Sequence, residues 1–279
     1  MKIAITHTTL LEYDVEVVES VMDARLGPRS DEDQRWDRFD LRTTPPGAIR
    51  RYRDGFGNAA YLVSVAKPHR SLAVTTVNEV VTLLVDPFQL PGAKPSPLDV
   101  GALADHLQPT PLVPLDDVSR ALAEPHRPAG PEDAFTAAQS LMHLVHERFT
   151  YRSDVTTVAT AVPEVLRSES GVCQDLAHVL IGLLRSVGIP ARYTSGYIVT
   201  SSGAGAPRHG AGASHAWVEA FTPTHGWRGL DPTNDLMASE HHVKMAVGRD
   251  YRDVPPTRGS YRGDATERLT VTVVAQAVP

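Results

Sequence analysis

A chain of 279 residues, 42% hydrophobic and 22% charged, is long enough for two domains and apolar enough to build a sizeable core. Its net charge of −6 argues against nucleic acid or an anionic membrane surface as a partner. A single cysteine excludes an internal disulfide framework and makes a reducing compartment the natural home.

The N-terminal MKIAITHTTLLEYDVEV alternates as a strand does and lacks the apolar run and cleavage site of a signal peptide. No stretch approaches the roughly 18 apolar residues of a membrane span. A cytoplasmic protein is expected. Residues 2–13 and 15–24 read as strands. RWDRFDLRTTPPG alternates imperfectly and stops at Pro45, Pro46 and Gly47. Two further β-rich runs, 59–65 and 71–84, follow the DGFGN turn, and the short cluster Arg50, Arg51, Tyr52, Arg53 reads as a solvated face. Short strands between turn signals predict an antiparallel β-sandwich-like domain over residues 1–97.

Prolines crowd the next segment, so residues 98–130 are expected to form a surface connector, with a short helix at 98–107 or 116–123. From Pro131 the pattern changes. Pro131, Glu132 and Asp133 open a helix whose apolar positions include Phe135, Ala138, Leu141, Leu144, Val145 and Phe149. A second helix starts near Gly171, and then β-like ARYTSGYIVT, SHAWVEAFT, GWRGLDPT and RLTVTVVAQAV follow. Helices followed by an antiparallel run predict an α+β domain over 131–279, with helices packed on an antiparallel sheet. The small, glycine-rich 201–213 segment joins two of these strands and is expected to hang near the site as a lid or substrate-selecting loop.

The second helix carries the lone cysteine. Val172, Leu176, Val179, Leu180, Leu183, Leu184 and Val187 make a continuous stripe that ends at Gly188, with Pro190 beyond. Cys173 lies in the first turn, where backbone N–H groups have no helical partner and the dipole is positive. Both stabilise a thiolate, and the same N–H groups can hold an oxyanion. Gly171 is expected to leave room for a substrate backbone. A lone cysteine also serves as a small inert hydrophobe, so its chemistry depends on a base and an orienting group elsewhere. SHAWVEAF places His215, Trp217 and Glu219 on one face of a strand, and an adjacent strand ends at Asp231. Two antiparallel strands joined by the PTHG turn would bring Asp231 to His215, completing a nucleophile, base and orienter set.

The order GVCQDLAHVLIGLLRSVGIPARYTSGY, SHAWVEAF, GWRGLDPTND resembles the transglutaminase-like superfamily of papain-like folds, in its bacterial branch. The resemblance runs from about Pro131 to the C-terminus, and the first third resembles the N-terminal β domain of that branch. It implies Cys173 as nucleophile, His215 as general base and Asp231 as orienting acid, with acyl transfer through a thioester. The acceptor can be water, as in a cysteine protease or amidase, or an amine, as in a protein-glutamine transglutaminase. A catalytically silent peptide-binding module is the remaining alternative. Gln174 and Asp175 follow the cysteine, so the local papain protease signature is absent. No D-x-[DN]-x-[DN]-G loop suggests calcium. Tyr193 and Trp217 are the candidate substrate-lining residues, each equally suited to core packing. His178 points away from Cys173 and reads as a packing or hydrogen-bonding residue. His143 and His146 share a helix face, but no third ligand accompanies them. No cofactor and no metal are expected; the partner is a peptide or protein substrate, without nucleic acid or membrane.

Overall fold

In the computed structural model, residues 1–91, 103–199, 209–210 and 212–278 are described. The N-terminal strands are β1 (Lys2–Val17), β2 (Glu19–Ala24), β3 (Gln34–Thr44), β4 (Ala48–Arg53), β5 (Ala59–Val65) and β6 (His69–Thr82). Side chains alternate across a strand, and β1 buries its odd positions Ile3, Ile5, His7, Thr9, Leu11 and Tyr13. β6 answers with Leu72, Val74, Thr76, Asn78 and Val80. A bend at Val18 carries the chain from one sheet into the other. β4 is exposed along its whole length, so it shows no alternation to mark it as a strand.

The α+β unit contains helices α1 (Asp117–Ala123), α2 (Ala134–Arg148), α3 (Val162–Ser168) and α4 (Cys173–Ser186). A short parallel pair, β7 (Thr150–Tyr151) and β8 (Ser170–Gly171), leads into α4. The strands that follow are β9 (Ala191–Ile198), β10 (His215–Thr222), β11 (Gly226–Asp231), β12 (Leu236–Met237) and β13 (His242–Gly248). They form an antiparallel sheet in the order β12-β11-β10-β9-β13. The α4 stripe is buried as its spacing required: Leu176, Val179, Leu180, Leu183 and Leu184 sit in one core with Leu141 and Val145 of α2 and Val218 of β10. Of the two connector helices expected, α1 forms, capped by Asp116 accepting from the Ser119 N–H at 2.7 Å. The 98–107 alternative lies partly outside the described residues; inside them, Leu103 and Ala104 are α-helical and Asp105–Leu107 continues as one 3-10 turn.

The last two strands do not stay with that unit. β14 (Thr257–Arg262) pairs with β2, and β15 (Glu267–Val278) pairs with β1 from Tyr13 opposite Glu267 to Lys2 opposite Val278. The two N-terminal sheets are therefore β15-β1-β6-β3 and β14-β2-β5-β4, closed on a core of Leu11, Val17, Met22, Val63 and Leu72. Residues 257–278, expected within the 131–279 domain, return to the β unit. The sandwich is built from both ends of the chain because β1 and β2 each expose a ladder edge that N-terminal strands leave unpaired.

β13 is an edge strand of the α+β sheet, and its outer edge is closed by two buried amides from the β unit. Gln34 accepts from the Lys244 N–H and donates to the Lys244 carbonyl, both at 2.8 Å. Asn58 accepts from Val247 N–H at 2.9 Å and donates to its carbonyl at 2.8 Å. Each side-chain amide imitates a neighbouring peptide unit; the Lys244 carbonyl also accepts the Arg29 N–H at 3.2 Å. Beside them, the buried Lys244 ammonium bridges Glu219 of β10 and Asp31 of the β unit, 2.8 Å from Asp31. Gln34→Ala is expected to cost about 1–3 kcal/mol, since it strands the Lys244 N–H in the interior, while the Lys244 carbonyl keeps the Arg29 N–H at 3.2 Å. Urea denaturation would check this; a midpoint equal to the parent's would mean that water replaces the amide.

Candidate active site

The start of α4 is shaped by Asp175. Its Oδ2 reaches back to accept the Val172 N–H at 2.8 Å and also accepts from Thr156 Oγ1 at 2.6 Å. A Cβ on Gly171 would lie 2.7 Å from that carboxylate. Gly171 thus makes room for Asp175, a different reason from the substrate approach expected of it. Val172 occupies the cap position and has no side-chain acceptor, so no capping side chain consumes the first-turn N–H groups. Cys173 is partly buried at this end of the helix, against the main core.

His215 opens β10 opposite Gly196 of β9, and Asp231 closes β11. Pairing of β10 with β11 from Val218 opposite Leu230 carries the two side chains together. His215 Nε2 lies 2.7 Å from Asp231 Oδ2, with both side chains fully buried. Nε2 is thereby committed to the carboxylate. Nδ1 is buried and has no hydrogen-bonded oxygen or nitrogen partner among the described residues, which leaves it for the thiol. Burial opposes a charge on His215, but the hydrogen bonds and charges of Asp231 and Cys173 outweigh it and raise its pKa to about 10. The structure brings the three sequence-identified residues together, His215 and Asp231 buried and Cys173 partly buried beside them.

Asp231 is also held by groups that the sequence did not single out. Its Oδ1 accepts the N–H groups of Thr233 at 3.0 Å and Asn234 at 3.2 Å. Its Oδ2 accepts Asn234 Nδ2 at 2.8 Å and faces His242 Nε2 at 3.5 Å. Burial pushes this carboxyl up, but His215 and His242 together hold it well below the usual carboxylate range. The Ser239 N–H donates to His242 Nδ1 at 3.3 Å, so the neutral ring carries its proton on Nε2, towards Asp231. Asp231 is thus shared by two histidines, one at the front of the site and one behind it. His242→Ala is expected to slow Cys173 alkylation by iodoacetamide about tenfold, the scale of one charge-assisted contact. His242→Gln, which keeps a donor at that position, should recover most of the rate. Equal loss in both variants would assign His242 to packing alone.

Tyr193 and Trp217 are placed beside the site but under its surface, 2% and 1% exposed. Tyr193 packs between His178 and Tyr251, with ring centroids 5.1 and 6.2 Å away. Trp217 stacks on His215 at 6.2 Å and meets His242 edge-on at 5.2 Å. Both lie on central strands whose two faces are covered, so they support the histidines instead of facing solvent. His178 is fully buried, its pKa lowered by burial to about 3, and its Nε2 accepts the Tyr251 N–H at 3.1 Å. His143 is spent on Asp235 at 2.9 Å, and His146 lies 3.1 Å from the Pro232 carbonyl. Among the described residues no cluster of three metal-ligating side chains occurs.

Of the 201–213 loop, residues 201–208 and 211 lie outside the described residues. His209 is fixed by two hydrogen bonds with Asn234, at 3.0 and 3.2 Å, and stacks on Tyr151 at 4.3 Å. Gly210, with φ +89°, passes so close to His215 that a Cβ there would sit 2.4 Å from Nδ1. Neither contact was legible in the sequence, because a glycine-rich composition does not specify which glycine touches the ring.

Comparison with known proteins places the chain in a family and a fold. Residues 3–81 match the family described as the bacterial transglutaminase-like N-terminal region, and residues 121–232 match the transglutaminase-like superfamily core. An uncharacterized protein of Mycobacterium tuberculosis is 35% identical over 293 residues, which cover 99% of this chain and 92% of that one. A Pseudomonas aeruginosa protein named protein-glutamine gamma-glutamyltransferase is 32% identical over 160 residues, 52% of this chain and 23% of the relative. A solved structure from Cytophaga hutchinsonii, titled as a candidate cysteine protease, superposes with a TM-score of 0.77 at 21% identity, over 100% of this chain and 92% of that one, and shows the same fold. The core match ends just past Asp231 and spans Cys173 and His215, so the constellation lies within the region that defines the family: the chain belongs to the transglutaminase-like superfamily and carries the N-terminal region of its bacterial branch.

Proposed function

We propose that the protein is a thiol-dependent acyl-transfer enzyme acting on peptide or carboxamide bonds. The observation that carries this reading is the buried His215–Asp231 pair at 2.7 Å, with Nδ1 left to face a cysteine at a helix start. The Cys173 proton passes to His215 Nδ1, and the thiolate attacks the carbonyl carbon. The carbonyl π electrons move to oxygen, and the Cys173 N–H supports the resulting oxyanion. When the tetrahedral centre collapses, the C–N bond breaks and His215 returns its proton to the leaving amine, giving a thioester. A water or amine, deprotonated by His215, then displaces the thiol.

Hydrolysis is the first reading, because water needs no dedicated acceptor site. Transamidation is supported by the glutamyltransferase name of the Pseudomonas aeruginosa relative. Mass spectrometry of a glutaminyl peptide incubated with a primary amine separates them. Free acid marks hydrolysis, a crosslinked product marks transfer, and neither product from a broad peptide panel would favour a silent peptide-binding module. The mechanism requires a reduced thiol, which fits a reducing compartment such as the cytoplasm.

A further inference from the structure

A groove of about 540 Å³ runs along the seam between the two units. Its apolar lining comes from Leu112, Val158 and Ala159 of the α+β unit and from Tyr251 and Pro255 on the way to β14. Arg252 and Arg258 complete it, and Arg258 belongs to a strand of the β sandwich. The groove is tied to the first turns of α4. Gln174, the residue after Cys173, donates to the Val158 carbonyl at 3.3 Å, and Tyr251 donates its N–H to His178 at 3.1 Å.

The two guanidinium groups are exposed, and among the described residues neither has an ion-pair or hydrogen-bond partner. The carboxylates around them are already engaged. Asp253 is held by Arg249 at 2.9 Å, and Asp250 accepts the Arg252 N–H at 2.8 Å. Asp23, across the ladder from Arg258, is taken by Arg25 at 2.6 Å. In a chain with 33 acidic and 27 basic side chains, two uncommitted arginines at one apolar groove form a local positive site against the overall charge. Guanidinium forks pair with carboxylates, and ligand sites favour seams between domains.

We propose that this groove binds the flank of an acidic peptide substrate, with an apolar side chain against Val158 and Tyr251 and carboxylates on Arg252 and Arg258. The proposal rests on the acyl-transfer reading of Cys173 and names its substrate class. It also gives the β unit a role in selection, since Arg258 arrives on β14.

The test uses the full chain carrying Cys173→Ala, titrated with fluorescein-labelled dodecapeptides. These share a Leu-Gly-Gln-Gly centre and differ only in flanking Glu, Gln or Lys. The Glu peptide should bind about tenfold more tightly than the Gln peptide, and the Lys peptide should bind most weakly. Raising the salt to about 1 M should erase the difference. Arg252→Gln with Arg258→Gln should equalise the three peptides, and Arg252→Glu with Arg258→Glu should invert their order. Equal affinity for all three, or an order unchanged in these variants, overturns the proposal. Self-association abolished by the same variants also overturns it, assigning the groove to a second copy of the chain. Iodoacetamide labelling, in a background retaining Cys173, reports separately on the underlying reading. The arginine variants should label at the parent rate, and a parent thiol that labels slowly near neutral pH would instead remove the acyl-transfer assignment.

Discussion

Asp231→Asn is expected to lower acyl transfer by about 10⁴-fold while leaving the fold intact. The substituted amide can still accept the Thr233 and Asn234 N–H groups through its oxygen, so the turn after β11 keeps its anchors. What disappears is the negative charge facing His215 Nε2, and with it the tautomer that leaves Nδ1 for the thiol. The pH dependence should change in a defined direction. In the parent, the carboxylate and the thiol hold the imidazolium up to a pKa of about 10 against burial, so activity should fall on the alkaline side near that value. In Asp231→Asn, burial acts with less opposition, and the alkaline limb should move down towards or below the ordinary histidine value of 6.5. The pH profile of amide hydrolysis reads the limb, because the leaving amine needs the proton of His215; an unmoved limb would separate Asp231 from His215. Stability follows the same signs. The raised His215 stabilises the fold fully below pH 6.5, and that contribution is lost as pH rises through about 10. The depressed Asp231 contributes above its ordinary 3.8 and loses that contribution as pH falls towards its folded value.

Cys173→Ala and His215→Ala should each abolish acyl transfer, and the double variant should be no worse than either alone. A thiol without its base and a base without its thiol both leave the first step undone, so their effects cannot add. Single-turnover assays on a hydrolysable amide would show a common floor. The two variants should differ in stability. Cys173 is a small, partly buried side chain, whereas removing the His215 ring opens space beside Trp217 and leaves the buried Asp231 with one histidine fewer. His215→Ala should therefore cost about 2–4 kcal/mol more. A double variant slower than both singles would mean that one residue retains a separate route to product.

The elements nearest the chemistry were the most legible ones. The α4 stripe has helical period and a Gly188 stop, and both are local properties of the chain. The Cys173, His215 and Asp231 set could be read because each residue falls at the end of a regular element: the first turn of α4, the start of β10 and the end of β11. β4 escaped notice because an exposed edge strand has no buried face to impose alternation. His242 is not marked because its contact is between β13 and a carboxylate eleven positions away on β11, with β9 and β10 lying between those strands in the sheet and no fixed spacing to signal it.

By itself, then, the amino-acid order determined the helices α2 and α4 and the strands β9, β10 and β11, which residue carries the thiol, and which histidine and aspartate could serve it. These follow from periodicity, helix-end electrostatics and strand pairing between neighbours, all of which act over a few residues or one turn. The tertiary structure alone decided that β14 and β15 close the N-terminal sandwich, that Gln34 and Asn58 complete the edge of β13, and that Arg258 reaches the groove beside α4. It also decided that Asp231 serves two histidines and that Gly210 lies against His215 Nδ1. Those are contacts between segments far apart in the chain. They are set by which exposed edges and buried polar groups remain to be satisfied once the local elements have formed.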